Sequence, residues 1–168
     1  PTELPRFEPA PPFRTSGVEY LNKQTEKAAA MLISANRPVI YAGHGIRLAD
    51  ACNQFQDLVD KLGVPVISSW NASDLIPTEH DHYAGRCGIL GDRAGNFAVQ
   101  NADLLLVIGS RMSLPQTGYN FPTFAREAKQ VVVDIDEKEM MKPSLRTDLP
   151  IVADAGDFIN LLSQKLEE

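Results

Sequence analysis

A chain of 168 residues has room for one domain that buries most of its apolar surface without covalent staples. Its net charge of −6 argues against a nucleic-acid partner, whose phosphates demand a basic face, and no apolar run reaches the ~18 residues of a membrane span. Its two cysteines, Cys52 and Cys87, stand far apart with no C-x-x-C spacing, which indicates neither a zinc site nor a disulfide framework and suits reduced thiols in a cytoplasmic protein.

Residues 1–16 carry five prolines and little apolar periodicity. That is the composition of an extended interdomain linker, so the domain itself is expected over residues 17–168. Ser16, Gly17, Val18 and Glu19 have the spacing of a capping box, in which the serine oxygen and the glutamate each satisfy an orphan N–H. Leu21, Ala28, Leu32 and Ile33 then recur at helical spacing and predict a helix to about residue 35. Val-Ile-Tyr-Ala at 39–42 is a short apolar run closed by Gly43, the pattern of a buried strand. Leu48, Cys52, Phe55, Val59 and Leu62 mark one face of a predicted helix that stops at Gly63. Residues 64–67 read as a second strand with Pro65 near its start, where a missing N–H matters least.

The run Leu-Leu-Leu-Val-Ile at 104–108 is the strongest strand signal, because apolar side chains without alternation require burial on both faces. Residues 131–135 and 150–153 give two more strands. Asp154 is placed to cap a last helix with Phe158, Ile159, Leu162 and Leu166 on its inner stripe. Strands of this kind separated by helices predict a Rossmann-like three-layer α/β/α domain around a parallel sheet of five or six strands.

In such a sheet ligands bind outside the carboxyl ends of the strands, near the point where strand order reverses. The residues just after each strand are therefore the candidates: Gly43, His44 and Gly45; Ser68 and Ser69; Gly109, Ser110 and Arg111; Asp134 and Ile135; Asp154 and Ala155. Each also has an ordinary reading, since glycine is common turn chemistry and aspartate a common helix cap. The first loop falls short of the dinucleotide fingerprint G-x-G-x-x-G/A. Leu48 stands at its third position, and Ser68, Ser69 and Trp70 stand where an acid should meet the ribose about 20 residues on. His44 has neither a carboxylate nor a nucleophile beside it in sequence and reads as a turn histidine that lines a ligand or the fold. His80 and His82 mimic a metal pair but suit a solvated loop better, so no catalytic or metal-ligating residue is assigned. The stretch from Gly85 to Gly95 holds four glycines ahead of a helix predicted at 96–102. It could offer backbone N–H groups to an anion, with Arg86, Arg93 and Arg111 as charged partners.

Taken in order, RPVIYAGHGI, LGVPVISSW, GRCGILGDRAGNFAVQNADLLLVIGSR, VVVDIDEKEM and LPIVADAGDFINLL resemble the central domain of thiamine-diphosphate-dependent enzymes. The resemblance is greatest to the acetolactate synthase large-subunit group and covers about residues 17–166. It implies an excised middle domain that serves as a scaffold and is not catalytic alone. The parent would be a transferase or lyase that binds thiamine diphosphate and Mg through other domains. Its partners would be those flanking domains, in a homo-oligomer. The resemblance further implies that FAD, ADP or nothing fills the rim of this domain, against Gly43, His44, Gly45, Ser68, Ser69 and the loop Gly88, Ile89, Leu90 and Gly91. Gly109, Ser110 and Arg111 would line the pyrophosphate, Asp134 and Ile135 the adenosine side, and Asp154 and Ala155 the far rim. Two departures weigh against a flavin: Ser113 and Pro115 replace an acid and an arginine, and Asp92 puts a carboxylate where a small hydroxyl would sit near the pyrophosphate. A free-standing nucleotide-binding regulatory domain is the alternative reading.

Overall fold

A computed structural model describes residues 17–144 and 146–167. The proposed linker and Ser16 of the capping box lie outside them. Helix α1 (Val18–Ser34) has Gly17 at its N-cap with no side-chain cap bond. Strands β1 (Pro38–Ala42), β2 (Val66–Ser68), β3 (Tyr83–Arg86), β4 (Leu104–Ile108), β5 (Lys129–Asp134) and β6 (Leu149–Val152) form one sheet in the order β3-β2-β1-β4-β5-β6. All five pairings are parallel. The helices between them are α2 (Gly45–Leu48), α3 (Cys52–Leu62), α4 (Arg93–Asn101), α5 (Leu114–Thr117), α6 (Glu137–Met140) and α7 (Ala155–Lys165).

The unalternating strands are apolar because each face of the sheet has its own core. Ile40, Leu106, Val133 and Ile151 pack with Leu32 of α1, Phe55 and Leu58 of α3 and Phe158 of α7. Tyr41, Ile67, Val107 and Val132 face the other way, under Val99 of α4, Ala128 and Met140 of α6. This is the three-layer α/β/α architecture expected from the sequence.

Several local expectations are corrected. The hidden sixth strand is β3, an edge strand with a register shift opposite Val66 and Ile67 and with Gly85 at φ +97. A glycine in that conformation breaks the apolar pattern by which a strand is read. The single helix predicted from Leu48 to Leu62 is two, because Asp50 takes a left-handed φ of +53 between α2 and α3. Leu48 is thereby turned out to 78% exposure, and Ala51 fills the core position beside it. Ile33 is likewise exposed, and Ala29 is buried in its place on α1. The second strand starts two residues later than predicted, leaving Pro65 outside to accept from the Ile40 N–H. Helix α4 begins at Arg93, three residues before the sequence expectation. The C-terminal prediction holds in detail: the Asp154 carboxylate accepts from the Gly156 and Asp157 N–H groups and caps α7.

Phe158 is fully buried, whereas Phe97 is 58% exposed. Phe158→Ala should lower the free energy of unfolding by about 3–5 kcal/mol in denaturant titrations. Phe97→Ala should change it by no more than about 0.5 kcal/mol.

Candidate functional site

Strand order reverses at β1: the chain runs outward through β2 and β3, then returns to place β4 on the other side of β1. Two loops leave the sheet side by side at that reversal, and their backbones touch. The Gly43 N–H donates to the Ile108 carbonyl and the Gly45 N–H to the Gly109 carbonyl, both at 2.9 Å. A Cβ on Gly43 would lie 2.2 Å from the Gly109 carbonyl oxygen, and one on Gly45 would lie 2.7 Å from Gly109 Cα. Gly109 itself holds φ +61, a conformation that glycine adopts without strain. The Gly-x-Gly of the first loop is thus explained by contact with a second loop. The Leu48 side chain that broke the fingerprint is exposed and lines the neighbouring cleft, so it does not hold the two loops apart.

Beside this contact lies a cleft of about 560 Å³, within the usual range for a small-molecule site. One wall is His44, Gly45, Ser69 and Asn71; the floor is Gly109, Ser110 and Arg111. Asp134 and Ile135 at the end of β5, with Asp154 and Ala155 after β6, close the far side. Ten of the sixteen candidates read from the sequence therefore share one cleft. Gly43 lies under it as packing. Ser68 is buried and bonded to the Tyr83 hydroxyl at 2.9 Å. Gly88, Ile89, Leu90 and Gly91 form a separate loop that does not line it, and Ile89 and Leu90 are exposed. Asn71, Ser113 and Gln116 join the lining without having been singled out as candidates. Asn71 stands two residues past the predicted strand-end pair, in a 3-10 turn (Trp70–Ala72) that carries it back to the rim.

The cleft's polar groups are few. His44 Nδ1 lies 2.9 Å from the Asn71 carbonyl oxygen, which fixes the proton on Nδ1 and leaves Nε2 as an acceptor in the neutral ring. Asp134 is 8% exposed, and burial holds its carboxyl above the usual carboxylate range against the opposing bond from the Asp136 N–H and the charge of Arg111. The Arg111 guanidinium is largely exposed, 3.8 Å from Glu139, which is more tightly paired to Lys142 at 2.6 Å. The Ser113 hydroxyl donates to the Gln116 side-chain oxygen.

The carboxylate expected to repel a pyrophosphate is neutralised. Asp92 accepts from the Arg86 N–H at 2.9 Å and pairs with the Arg86 guanidinium at 3.1 Å, which holds its carboxyl below the usual range. Beneath the rim, burial raises the Tyr41 hydroxyl and pushes the Cys87 thiol up to about 11, so Cys87 carries no thiolate for chemistry at neutral pH. The His80 and His82 pair is structural. His80 bridges Asp60 at 3.0 Å and the His82 N–H at 3.2 Å, holding the turn into β3. Among the described residues no group of three or more His, Cys, Asp or Glu converges as a metal site.

Residues 25–162 match the family model described as thiamine pyrophosphate enzyme, central domain. The chain belongs to this family. As a central domain of the thiamine pyrophosphate enzymes, it is similar to a probable acetolactate synthase large subunit of Methanocaldococcus jannaschii, 37% identical over 136 residues, 81% of this chain and 23% of that protein. It is 33% identical over 160 residues to an acetolactate synthase large subunit of Mycobacterium tuberculosis, covering 95% of this chain and 24% of the relative. With acetolactate synthase isozyme 2 large subunit of Escherichia coli it shares 32% identity over 151 residues, 90% of this chain and 27% of the relative. This central domain therefore spans about a quarter of the curated relatives it matches.

Two measurements check the site's physics. Gly43→Ala drives a Cβ into backbone that cannot yield and should cost at least about 2 kcal/mol of stability. Gly17→Ala, which meets nothing within 4 Å, should stay within about 0.5 kcal/mol. For Asp134 the folded-state pKa is raised, so the native state binds more protons than the unfolded one and stability falls as pH rises through that window. Asp134→Asn removes the penalty and should raise the melting temperature at pH 7. The gain should shrink to nothing once the pH falls below about 4, where both states carry the proton.

Proposed function

We propose that this domain is the scaffold of an acetolactate synthase-like enzyme and holds a nucleotide in its rim, FAD or ADP by the family resemblance, without taking part in the chemistry. The whole protein would join 2-oxo acids or related carbonyl compounds, as a transferase or lyase, on thiamine diphosphate and magnesium held by flanking domains. It would do so in the cytoplasm and as a homo-oligomer. No helix among the described residues is long and apolar enough to cross a membrane.

The observation that carries the nucleotide reading is the cleft at the strand-order reversal. There the floor of Gly109, Ser110 and Arg111 brings close backbone and one guanidinium together, and a buried acid, Asp134, stands across from them. Glycine backbone lets a phosphate approach, a guanidinium pairs with it, and a carboxylate accepts from ribose hydroxyls. The scaffold reading is supported by the state of the buried thiol: Cys87 is pushed up to about 11 and stays protonated at neutral pH.

The chain incubated with pyruvate, magnesium and thiamine diphosphate should form no acetolactate; turnover by this domain alone would overturn the scaffold reading. A nucleotide at about a hundred times its dissociation constant should stabilise the fold by about 2.7 kcal/mol, read as a rise in melting temperature.

A further inference from the structure

We infer that the glycine-rich loop and helix α5 together form a docking face for a flanking domain of the same polypeptide, an inference that rests on the scaffold reading above. Residues 112–125 are the longest stretch of the chain without a charged side chain, and residues 87–91 carry none either. The next longest uncharged run, 62–73, passes through the buried strand β2, whereas 112–125 contains no strand. Folding brings the two uncharged stretches together. The Ile89 N–H donates to the Pro115 carbonyl at 2.9 Å, and a Cβ on Gly88 would lie 2.3 Å from that same oxygen.

The backbone here is bonded within itself. The Gly88 N–H donates to Asn96 Oδ1 at 2.9 Å, and Asn96 Nδ2 donates back to the Gly88 carbonyl at 3.1 Å. The Gly91 N–H donates to the Gly88 carbonyl, and the Gly118 N–H to the Leu114 carbonyl. The apolar side chains have no such cover. Leu90 is 73% exposed and Tyr119 79%, and Ile89 and Leu114 are exposed as well. A loop fixed by its own hydrogen bonds and holding out these side chains is an apolar surface formed before anything binds, the mark of an interaction site.

The chemistry of the face says what covers it. The charges that flank the loop in sequence, Arg86 and Asp92, pair with each other at 3.1 Å, so the face has little charge with which to steer a diffusing partner. A domain tethered in the same chain needs no steering, because the tether supplies its effective concentration. A charge-poor apolar face is also the character of a permanent contact. This domain is 23–27% of the length of the curated relatives, so about three quarters of each lies outside it. The occupant is therefore an uncharged, apolar face of a flanking domain.

Leu90→Cys and Tyr119→Cys, made separately in the full-length protein that carries this domain, test the inference by maleimide labelling, read on each peptide by mass spectrometry. Both thiols should react at least tenfold more slowly in the native protein than in the unfolded one. Less protection than that at either position overturns the inference. Benzoylphenylalanine at position 119 identifies the occupant: its photo-crosslinks should fall on residues of a flanking domain. Crosslinks to residues 1–168 of a second copy, or none to a flanking domain, overturn the inference too. Each of these failures leaves the scaffold reading standing, whereas a full-length protein without flanking domains removes both.

Discussion

Everything at the rim depends on the backbone contact between two strand-end loops, Gly43 to Gly45 after β1 and Gly109 after β4. It forms because β1 and β4 are neighbours at the reversal of strand order and pair in register from Pro38 with Leu104 to Ala42 with Ile108. The ladder then continues past both strand ends, through the Gly43 bond to Ile108 and the Gly45 bond to Gly109. Side chains on any of these three glycines would force the loops apart. Held together, they form the floor from which Ser110 and Arg111 rise into the cleft.

A second backbone contact of the same kind has the opposite consequence. Gly88 lies under Pro115 and Gln116 as Gly43 lies against Gly109, but there the close approach closes a surface. The rim is consequently uneven. From His44 across Gly109 to Asp134 it is an open cleft, and at Ser68 and at Gly88 it is internally bonded structure. Ser113 and Pro115, the departures noted in the sequence, fall in or beside the short helix α5 that makes the closure.

Much of this was legible in the residues. Unalternating runs such as 104–108 gave the parallel sheet, because only burial on both faces allows them. The acid at 154 named its own helix. The strand ends named ten residues that share the cleft. What escaped has physical causes. Strand β3 hid because Gly85 and a register shift interrupt its pattern. The break at Asp50 hid because a left-handed aspartate leaves no periodic trace, and Leu48, the last residue of α2, shares the apolar spacing of a helix that begins only at Cys52. The glycine-rich loop was read as an anion cradle because sequence reports that backbone can be approached and not by what. Only the three-dimensional neighbours, Pro115 and Asn96, decide that the Gly88 and Ile89 N–H groups face protein. The same limit applied to Asp92, whose charge was visible and whose partner Arg86 was not.

We propose that a ligand meets this domain at the floor beside Gly109 and not at the glycine-rich loop. Amide chemical-shift mapping by NMR with ADP added tests it residue by residue. Shifts are expected at Gly45, Gly109, Ser110, Arg111, Asp134 and Ile135, with Gly88 to Gly91 unmoved. Shifts centred on Gly88 to Gly91, with Gly109 to Arg111 unmoved, would contradict it.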